Sequence, residues 1–381
     1  MVTIANSSLE NHYNSGRPSM KTQIESIMRS DHATGFFAFV LFVLSLIYSG
    51  IMKIRALLYQ WGIFRIHKLP CKVISIGNIS TGGAGKTPMT IYLAKMLTRM
   101  NFRVVILSRG YKGNYEQSCA IVSDGNKVFL DAQTAGDEPC LMAQKLSDVP
   151  VIVGKNRYEC GVLANQQFSP DIILLDDAFQ HLRIFRDLDI VLMDFHRPLG
   201  NTHVIPRGVL REPKFHLHRA HMYVLTRASH NQKKISQIKP FVTNKPIFTC
   251  NHVPDQLMQI NESGHLSFLP TETLANQSVY AFSGIANNED FLKILTGLQY
   301  QIVSSENFDD HHDYTDNDLK TIDAKAKNAG AKYLVTTEKD YVKICNQIHW
   351  SFPLFALGIQ LSFGNDTNQF ESTIQNQVTT P

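Results

Sequence analysis

The stretch Ser80-Thr81-Gly82-Gly83-Ala84-Gly85-Lys86-Thr87 carries the residue types of a loop that cradles phosphate. It ends as G-x-x-x-x-G-K-[ST] does, with Ser80 where the first glycine would stand. Gly82, Gly83 and Gly85 let backbone N–H groups turn onto oxygens with no Cβ in the way, and a helix N-terminus behind them adds partial positive charge. The run Ser80 to Thr87 is then expected to bind a nucleotide, Lys86 reaching the β and γ phosphates and Thr87 holding Mg²⁺. Ser80 calls for a negative φ, which widens the loop without destroying the anion nest.

Other side chains could do chemistry beside it. Asp176 and Asp177 end the run "DIILLDD" (171–177), and open α/β sheets place ligands and Mg²⁺-side carboxylates at such strand ends. Gln180 and His181 follow on the same turn. Arg211 and Glu212 are either a surface ion pair of little energetic weight or a pair lining a cleft. In "AGDEP", Asp137 reads locally as a helix N-cap with Pro139 in the first turn. In "NFDDHHDYT" (307–315) the acids and histidines could suggest a metal cluster, but adjacent residues splay apart and no ligand spacing repeats. The simpler reading is a polar loop ending in Thr315, which caps a helix from Asp316 with Asp318 completing a near capping box.

These residues need elements to hold them. "KVISIGN" (72–78) leads into the glycines, and Leu93, Met96, Leu97 and Met100 follow at helical spacing, so the loop has the strand-loop-helix setting that a bare Gly-Lys-Thr lacks. Further buried strands are read at 103–110, 171–177, 189–194 and 222–227. Strands alternating with helices predict an α/β domain with a parallel, P-loop NTPase-like sheet. Polar stretches such as "SHNQKKISQ" and "NESGHLS" mark linker material, after which strands at 278–285, 332–340 and 353–363, with helices near 288–297 and 316–329, predict a smaller α/β domain. The boundaries drawn are a polar extension (1–32), a membrane-associated helix (33–68), a P-loop domain (69–230), a linker region (231–277), the smaller domain (278–364) and a polar, frayed tail (365–381).

The run Ala33 to Met52 is uncharged, and as a helix at about 1.5 Å per residue it just reaches across a hydrocarbon core. Lys53, Arg55, Arg65 and Lys68 follow beside Tyr59 and Trp61, an interfacial composition that puts the C-terminal side in the cytoplasm. A buried core helix is the alternative. The chain has 381 residues, 44% of them hydrophobic, and a net charge of +4 spread without polybasic blocks, so a folded core is expected and nucleic acid is not a partner. Six scattered cysteines without a C-x-x-C pair suggest neither a zinc site nor a disulfide framework, and fit a reducing compartment.

The segments "SIGNISTGGAGKTP", "SRGYKG", "GDEP", "DDAFQHLRIFRDLDIVLMD", "RPLGNTHVIPRGVLREP" and "TTEKD", in this order, resemble the tetraacyldisaccharide 4'-kinases of lipid A biosynthesis. The resemblance covers about residues 40 to 360, and the segments from Asp176 to Pro213 are highly specific. It implies two α/β domains joined by a β-ribbon and a P-loop that lacks its first glycine. The implied reaction is phosphoryl transfer from ATP to the 4'-hydroxyl of tetraacyldisaccharide 1-phosphate, giving lipid IVA, at the cytoplasmic face of a Gram-negative inner membrane. It also implies Asp137 as catalytic base with His311 as its partner from the second domain, and Glu212 with Asp176 and Asp177 on the Mg²⁺ side. Gln180, His181 and Arg211 then face the lipid substrate. Lys339 of "TTEKD" could position nucleotide, or that segment could cap a strand end.

Three positions depart from the family pattern: Ala178 and Thr202 replace glycines, and Arg207 stands where a small residue is usual. The extension before residue 33 has no counterpart. A competing function is a membrane-anchored P-loop ATP- or GTP-binding protein without lipid kinase activity. A guanine reader is disfavoured, since Asn244-Lys245-Pro246-Ile247 lacks the aspartate of N-K-x-D.

Overall fold

A computed structural model describes residues 20–379, except 112, 114–118, 229–237, 243, 261–265, 286, 346 and 348–349. The expectations for residues 1–19 and for the polar stretch 229–237 fall outside the described residues. Helices α1 (Met20–Arg29) and α2 (Phe36–Gln60) come first, followed by β1 (Lys72–Asn78), α3 (Lys86–Arg99), β2 (Val104–Ser108) and β3 (Ala120–Ser123). Then come α4 (Ala132–Ala135), α5 (Asp137–Lys145), β4 (Val151–Val153), α6 (Arg157–Phe168), β5 (Ile172–Asp176), β6 (Leu188–Asp194) and β7 (Met222–Thr226). The C-terminal half runs through β8 (Ile247–Ile260), β9 (Leu266–Leu269), β10 (Ser278–Ser283), α7 (Asn288–Gly297), β11 (Gln301–Asn307) and α8 (Asp316–Asn328). It closes with β12 (Tyr333–Thr337), α9 (Glu338–Ile344), β13 (Leu354–Ser362) and α10 (Thr367–Thr379).

The strands form one hydrogen-bonded series, β11-β10-β12-β13-β8-β7-β6-β1-β5-β2-β4-β3, with β9 paired to β8. From β8 to β4 all pairings are parallel, and β3 closes that edge antiparallel. Side chains on both faces of β1, β2 and β5 are buried, which explains why these segments read as unbroken apolar runs. In the C-terminal half β11, β10, β12 and β13 are again parallel. Strand β8 joins the halves: its first residues pair with β7, and its later ones run antiparallel to β13 and β9. Much of the stretch read as irregular linker is therefore strand.

The described part of the tail, as far as Thr379, is helical rather than frayed. Helix α10 buries Phe370, Ile374 and Val378 in the same core as Met89, Leu93 and Met96 of α3, and Phe370 stacks on Phe363 with centroids 3.9 Å apart. A polar composition hid three apolar residues at a spacing of four, one stripe of an amphipathic helix.

Helix α2 is longer than the uncharged run and continues through the basic and aromatic residues as far as Gln60. It is long and apolar enough to cross a membrane. It is nevertheless held to one half of the protein, at its middle and in its C-terminal part. Ala38, Leu41, Ser45 and Met52 are buried along one face, the Tyr48 hydroxyl donates to the Arg211 carbonyl at 2.9 Å, and Arg55 donates to the Gln180 carbonyl at 2.9 Å. Phe36, Phe39, Leu46, Ile47, Ile51 and Ile54 remain exposed.

Part of the polar extension is ordered as α1. Its last carbonyls are capped by one loop: Arg207 donates to Ile27 at 3.0 Å, Asn201 to Met28 at 2.9 Å and Arg197 to Arg29 at 2.8 Å. Arg207, a departure from the family pattern, thus complements the negative end of a helix dipole. Thr202, where a glycine is usual, has φ 66°, the left-handed conformation that glycine adopts without strain. The cysteine reading also needs correction. Cys119 and Cys160 are joined by a disulfide with Cα atoms 5.4 Å apart, which ties α6 to the residue before β3.

Candidate active site

The phosphate loop leaves β1 after Asn78 and ends at Gly85, the N-cap of α3. Gly82 and Gly85 have φ of 109° and 80°, whereas Ser80 is not among the residues with positive φ, as expected. The loop is braced from three sides. Thr81 N–H donates to the Val209 carbonyl at 2.7 Å, Thr226 Oγ1 donates to the Ala84 carbonyl at 3.2 Å, and Arg227 donates to the Gly83 carbonyl at 2.8 Å. Thr87 is buried in the first turn of α3.

Register places the acidic pair beside it, because Ile76 of β1 pairs with Asp176 of β5. Asp176 is buried and accepts from Thr90 Oγ1 at 3.1 Å and Ser108 Oγ at 3.2 Å. Burial and the neighbouring Glu138 and Asp177 push its pKa up to about 6. Asp177 has φ 47°, which turns its carboxylate towards Lys86 Nζ at 3.8 Å and Arg211 Nη1 at 2.8 and 2.9 Å. Arg211 is thus a partner of Asp177 rather than of the adjacent Glu212.

Asp137 is not an N-cap. Gly136 takes that position, and Asp137 is the first residue of α5, its carboxylate free to face the C-terminal half. It accepts from His311 Nδ1 at 3.1 Å and from Lys343 Nζ at 3.0 Å. Burial opposes ionisation, but His311 and Lys343 outweigh it and hold the carboxyl below the usual carboxylate range. Next to it, Glu138 is bonded by Lys339, and Lys339 with Lys86 holds it ionised despite desolvation. His312 does not join this group. It bonds Asp318 at 3.2 Å, beside the Thr315–Asp318 capping box that the sequence predicted.

Two expected site residues sit differently. Glu212 is 1% exposed and both its oxygens are taken, Oε2 by His216 at 2.6 Å and Arg219 at 2.7 Å, Oε1 by Arg219 at 3.0 Å. As folded it offers neither oxygen to a cation. Gln180 spends its amide N–H on the Asn78 carbonyl at 2.9 Å, bracing the base of the phosphate loop, while its own carbonyl is held by Arg55. His181 is neutral, its pKa pushed down to about 4 by burial and by Arg157 and Arg186. Beyond it lies a largely apolar cavity of about 680 Å³ between α2 and the turn Lys214–Arg219, lined by Leu57, Leu182, Ile184 and Phe215 with Lys53 and Arg219 among its polar groups.

Comparison with known proteins decides the lineage. The family profile described as LpxK, Tetraacyldisaccharide-1-P 4'-kinase, matches residues 37–379. The chain belongs to the tetraacyldisaccharide 4'-kinase family. It is 39% identical over 375 residues to the tetraacyldisaccharide 4'-kinase of Desulfatibacillum aliphaticivorans, covering 94% of this chain and 98% of that one. The Syntrophus aciditrophicus enzyme of the same name is 38% identical over 85% of this chain and 89% of its own. The crystal structure of LpxK from Aquifex aeolicus in complex with ATP superposes with a TM-score of 0.73 at 32% identity, covering 90% of this chain and 100% of that one.

For a tetraacyldisaccharide 4'-kinase, the sequence reading missed four participants in the site: Glu138, Lys343, Thr90 and Ser108. Glu138 and Lys343 had no local signal, because each acquires its partner only when the halves meet. Thr90 was findable, since it lies one helical turn after Lys86 and faces the strand end. In "TTEKD" the cap belongs to a helix, and Lys339 is bonded to an acid of the other half. Thr337 Oγ1 accepts from Asp340 N–H as the cap of α9, and Lys339 reaches across to Glu138.

Proposed function

We propose that the cleft transfers the γ-phosphoryl group of ATP to the 4'-hydroxyl of tetraacyldisaccharide 1-phosphate. The observation that carries the proposal is Asp137, held by His311 and Lys343 of the opposite half at the rim of the phosphate loop. The sugar oxygen forms a bond to the γ phosphorus, the bond from that phosphorus to the β–γ bridging oxygen breaks, and ADP leaves. The hydroxyl proton passes to Asp137, which its two partners keep ionised and oriented. Lys86 and the amides from Ser80 to Thr87 hold the transferring phosphate and its charge. Because the base lies in one half and its positioning groups in the other, turnover depends on cleft closure.

The donor set fits Mg²⁺. Asp176, Asp177 and Glu138 all interact with Lys86, and burial, with Glu138 and Asp177 beside it, raises the pKa of Asp176, so a divalent cation there would favour its ionised form. Thr87 with Asp176 or Asp177 would hold the ion, which supplies charge neutralisation on the phosphates. Among the described residues no group of three or more His, Cys, Asp or Glu side chains forms a closed cage. Arg211 and His181 lie on the path from the loop towards α2 and are assigned to the lipid headgroup, with Gln180 fixing the loop beneath it.

A tetraacylated substrate stays in the bilayer with its sugars in water. The exposed apolar stripe of α2 supports docking of the protein flat on the cytoplasmic face of the inner membrane, and the neighbouring apolar cavity suits an acyl chain. The test is incubation with labelled ATP, Mg²⁺ and tetraacyldisaccharide 1-phosphate. Label on the lipid is expected with the wild type and none with Lys86→Ala, whereas hydrolysis without lipid labelling would overturn the proposal.

A further inference from the structure

Away from the phosphate loop, one lysine is buried where the two halves join. Lys145 ends α5, and its side chain is 4% exposed. Its ammonium lies 2.5 Å from Oε1 of Glu338, the first residue of α9, and 3.5 Å from Asp255 Oδ2 of β8. It also donates to the Ile359 carbonyl of β13 at 3.5 Å. The Glu338 side chain, 7% exposed, accepts in turn from the Ile359 N–H at 3.3 Å. The backbone leaves room for that carboxylate: the β8–β13 ladder shifts register between Leu357 and Ile359, and a Cβ on Gly358 would lie 2.8 Å from Glu338 Oε1.

This clasp is the far end of a row. Helix α5 packs on α9, and three ion pairs join them across the halves in reverse order: Asp137 with Lys343, Glu138 with Lys339 and Lys145 with Glu338. Each helix carries acids in its first turn and a lysine in its last, which suits its own dipole, so antiparallel packing sets opposite charges together at both ends. A buried apolar contact can slide, whereas a buried ammonium must stay on its carboxylates or be left uncompensated. At the helical rise Asp137 lies about 12 Å along the axis from Lys145, so a tilt of α5 by about 5° about its pinned end moves Asp137 by about 1 Å.

We infer that Lys145 is a positioning residue for Asp137: held by Glu338 and Asp255, it pins the end of α5 beside the joining strand, so that the opposite end brings Asp137 onto Lys343 and His311. The inference rests on the reading of Asp137 as the base. Lys145 acts on the reaction only through the carboxylate at the other end of its helix.

The test is a double-mutant cycle on kcat, with Lys145→Met, Asp137→Ala and the two combined, each shown to be folded at the assay temperature by circular dichroism. Lys145→Met should lower kcat about 100-fold, the cost of a misplacement of about 1 Å, with KM for ATP within about threefold of wild type. In the Asp137→Ala background, where no carboxylate remains to be misplaced, the same substitution should change kcat by less than about threefold. An unchanged kcat in folded Lys145→Met would overturn the inference, as would an equal fold loss in both backgrounds, the result that a merely structural role gives. Should Lys145→Met fail to fold, Glu338→Gln takes its place in the cycle, since it keeps the hydrogen bonds and weakens the clasp. A kcat loss of about tenfold, confined to the background that retains Asp137, is then expected, and the same two outcomes overturn the inference. Wild-type turnover in Asp137→Ala would sink the base reading itself, a result distinct from these.

Discussion

Asp137 and Glu212 are both carboxylates in family-specific segments, yet the fold uses them in opposite ways. Glu212 finds partners four and seven residues away in its own chain segment and is sealed in before any substrate arrives. Asp137 finds His311 from 174 residues away, at a boundary between two halves of the protein. A locally satisfied acid is a structural bolt, whereas a carboxylate oriented by a distant base and lysine is available for chemistry. Membership of a motif does not separate the two; the location of their partners, within one segment for Glu212 and across the halves for Asp137, does.

The contrast is broken most severely at Asp137. Asp137→Ala should lower kcat about 10²- to 10⁴-fold, the usual contribution of a general base, with ATP affinity little changed. Glu212→Ala should do the reverse. It leaves Arg219 buried without its anion and should cost about 3–5 kcal/mol of stability, read by denaturant titration. If Glu212→Ala instead left stability intact and raised the Mg²⁺ requirement, the earlier metal-side expectation would be restored. His311→Ala should lower kcat about 10- to 100-fold, less than loss of the base, because Lys343 remains as a positioning group.

The smallest effect sharpens the electrostatics. An acid whose folded pKa is raised favours the protonated fold, so the stability linked to Asp176 is full below its unfolded value and is lost as pH rises towards about 6. Asp176→Asn should therefore melt a few degrees above wild type at pH 7 without nucleotide and show no advantage near pH 4, by calorimetry. Equal melting at pH 7 would mean that the ionised form of Asp176 carries no penalty in the folded protein.

The sequence was most legible where function is local. The phosphate loop is one strand, one turn and one helix, so Ser80 to Thr87 could be placed with their neighbours, and the Thr315–Asp318 box spans a single helical turn. Asp137 was misread as a cap because the sequence cannot show that Gly136 has φ 92° and takes that role. The Glu138–Lys339 and Cys119–Cys160 pairs join residues 201 and 41 positions apart, and composition holds no trace of either. Helix α10 was missed because three buried residues in a polar stretch reveal a helix only when its packing partner, α3, is known. The family resemblance supplied the pairing of Asp137 with His311 that spacing could not.

Helix α2, fastened to the catalytic body both near Arg211 and near Gln180, has a consequence for how substrate is met. A protein resting on that stripe would skim one leaflet and meet its substrate by lateral diffusion, without lifting acyl chains into water. Detergent that coats the stripe should detach the enzyme whole, because the fastenings of α2 face inward and are not made of lipid.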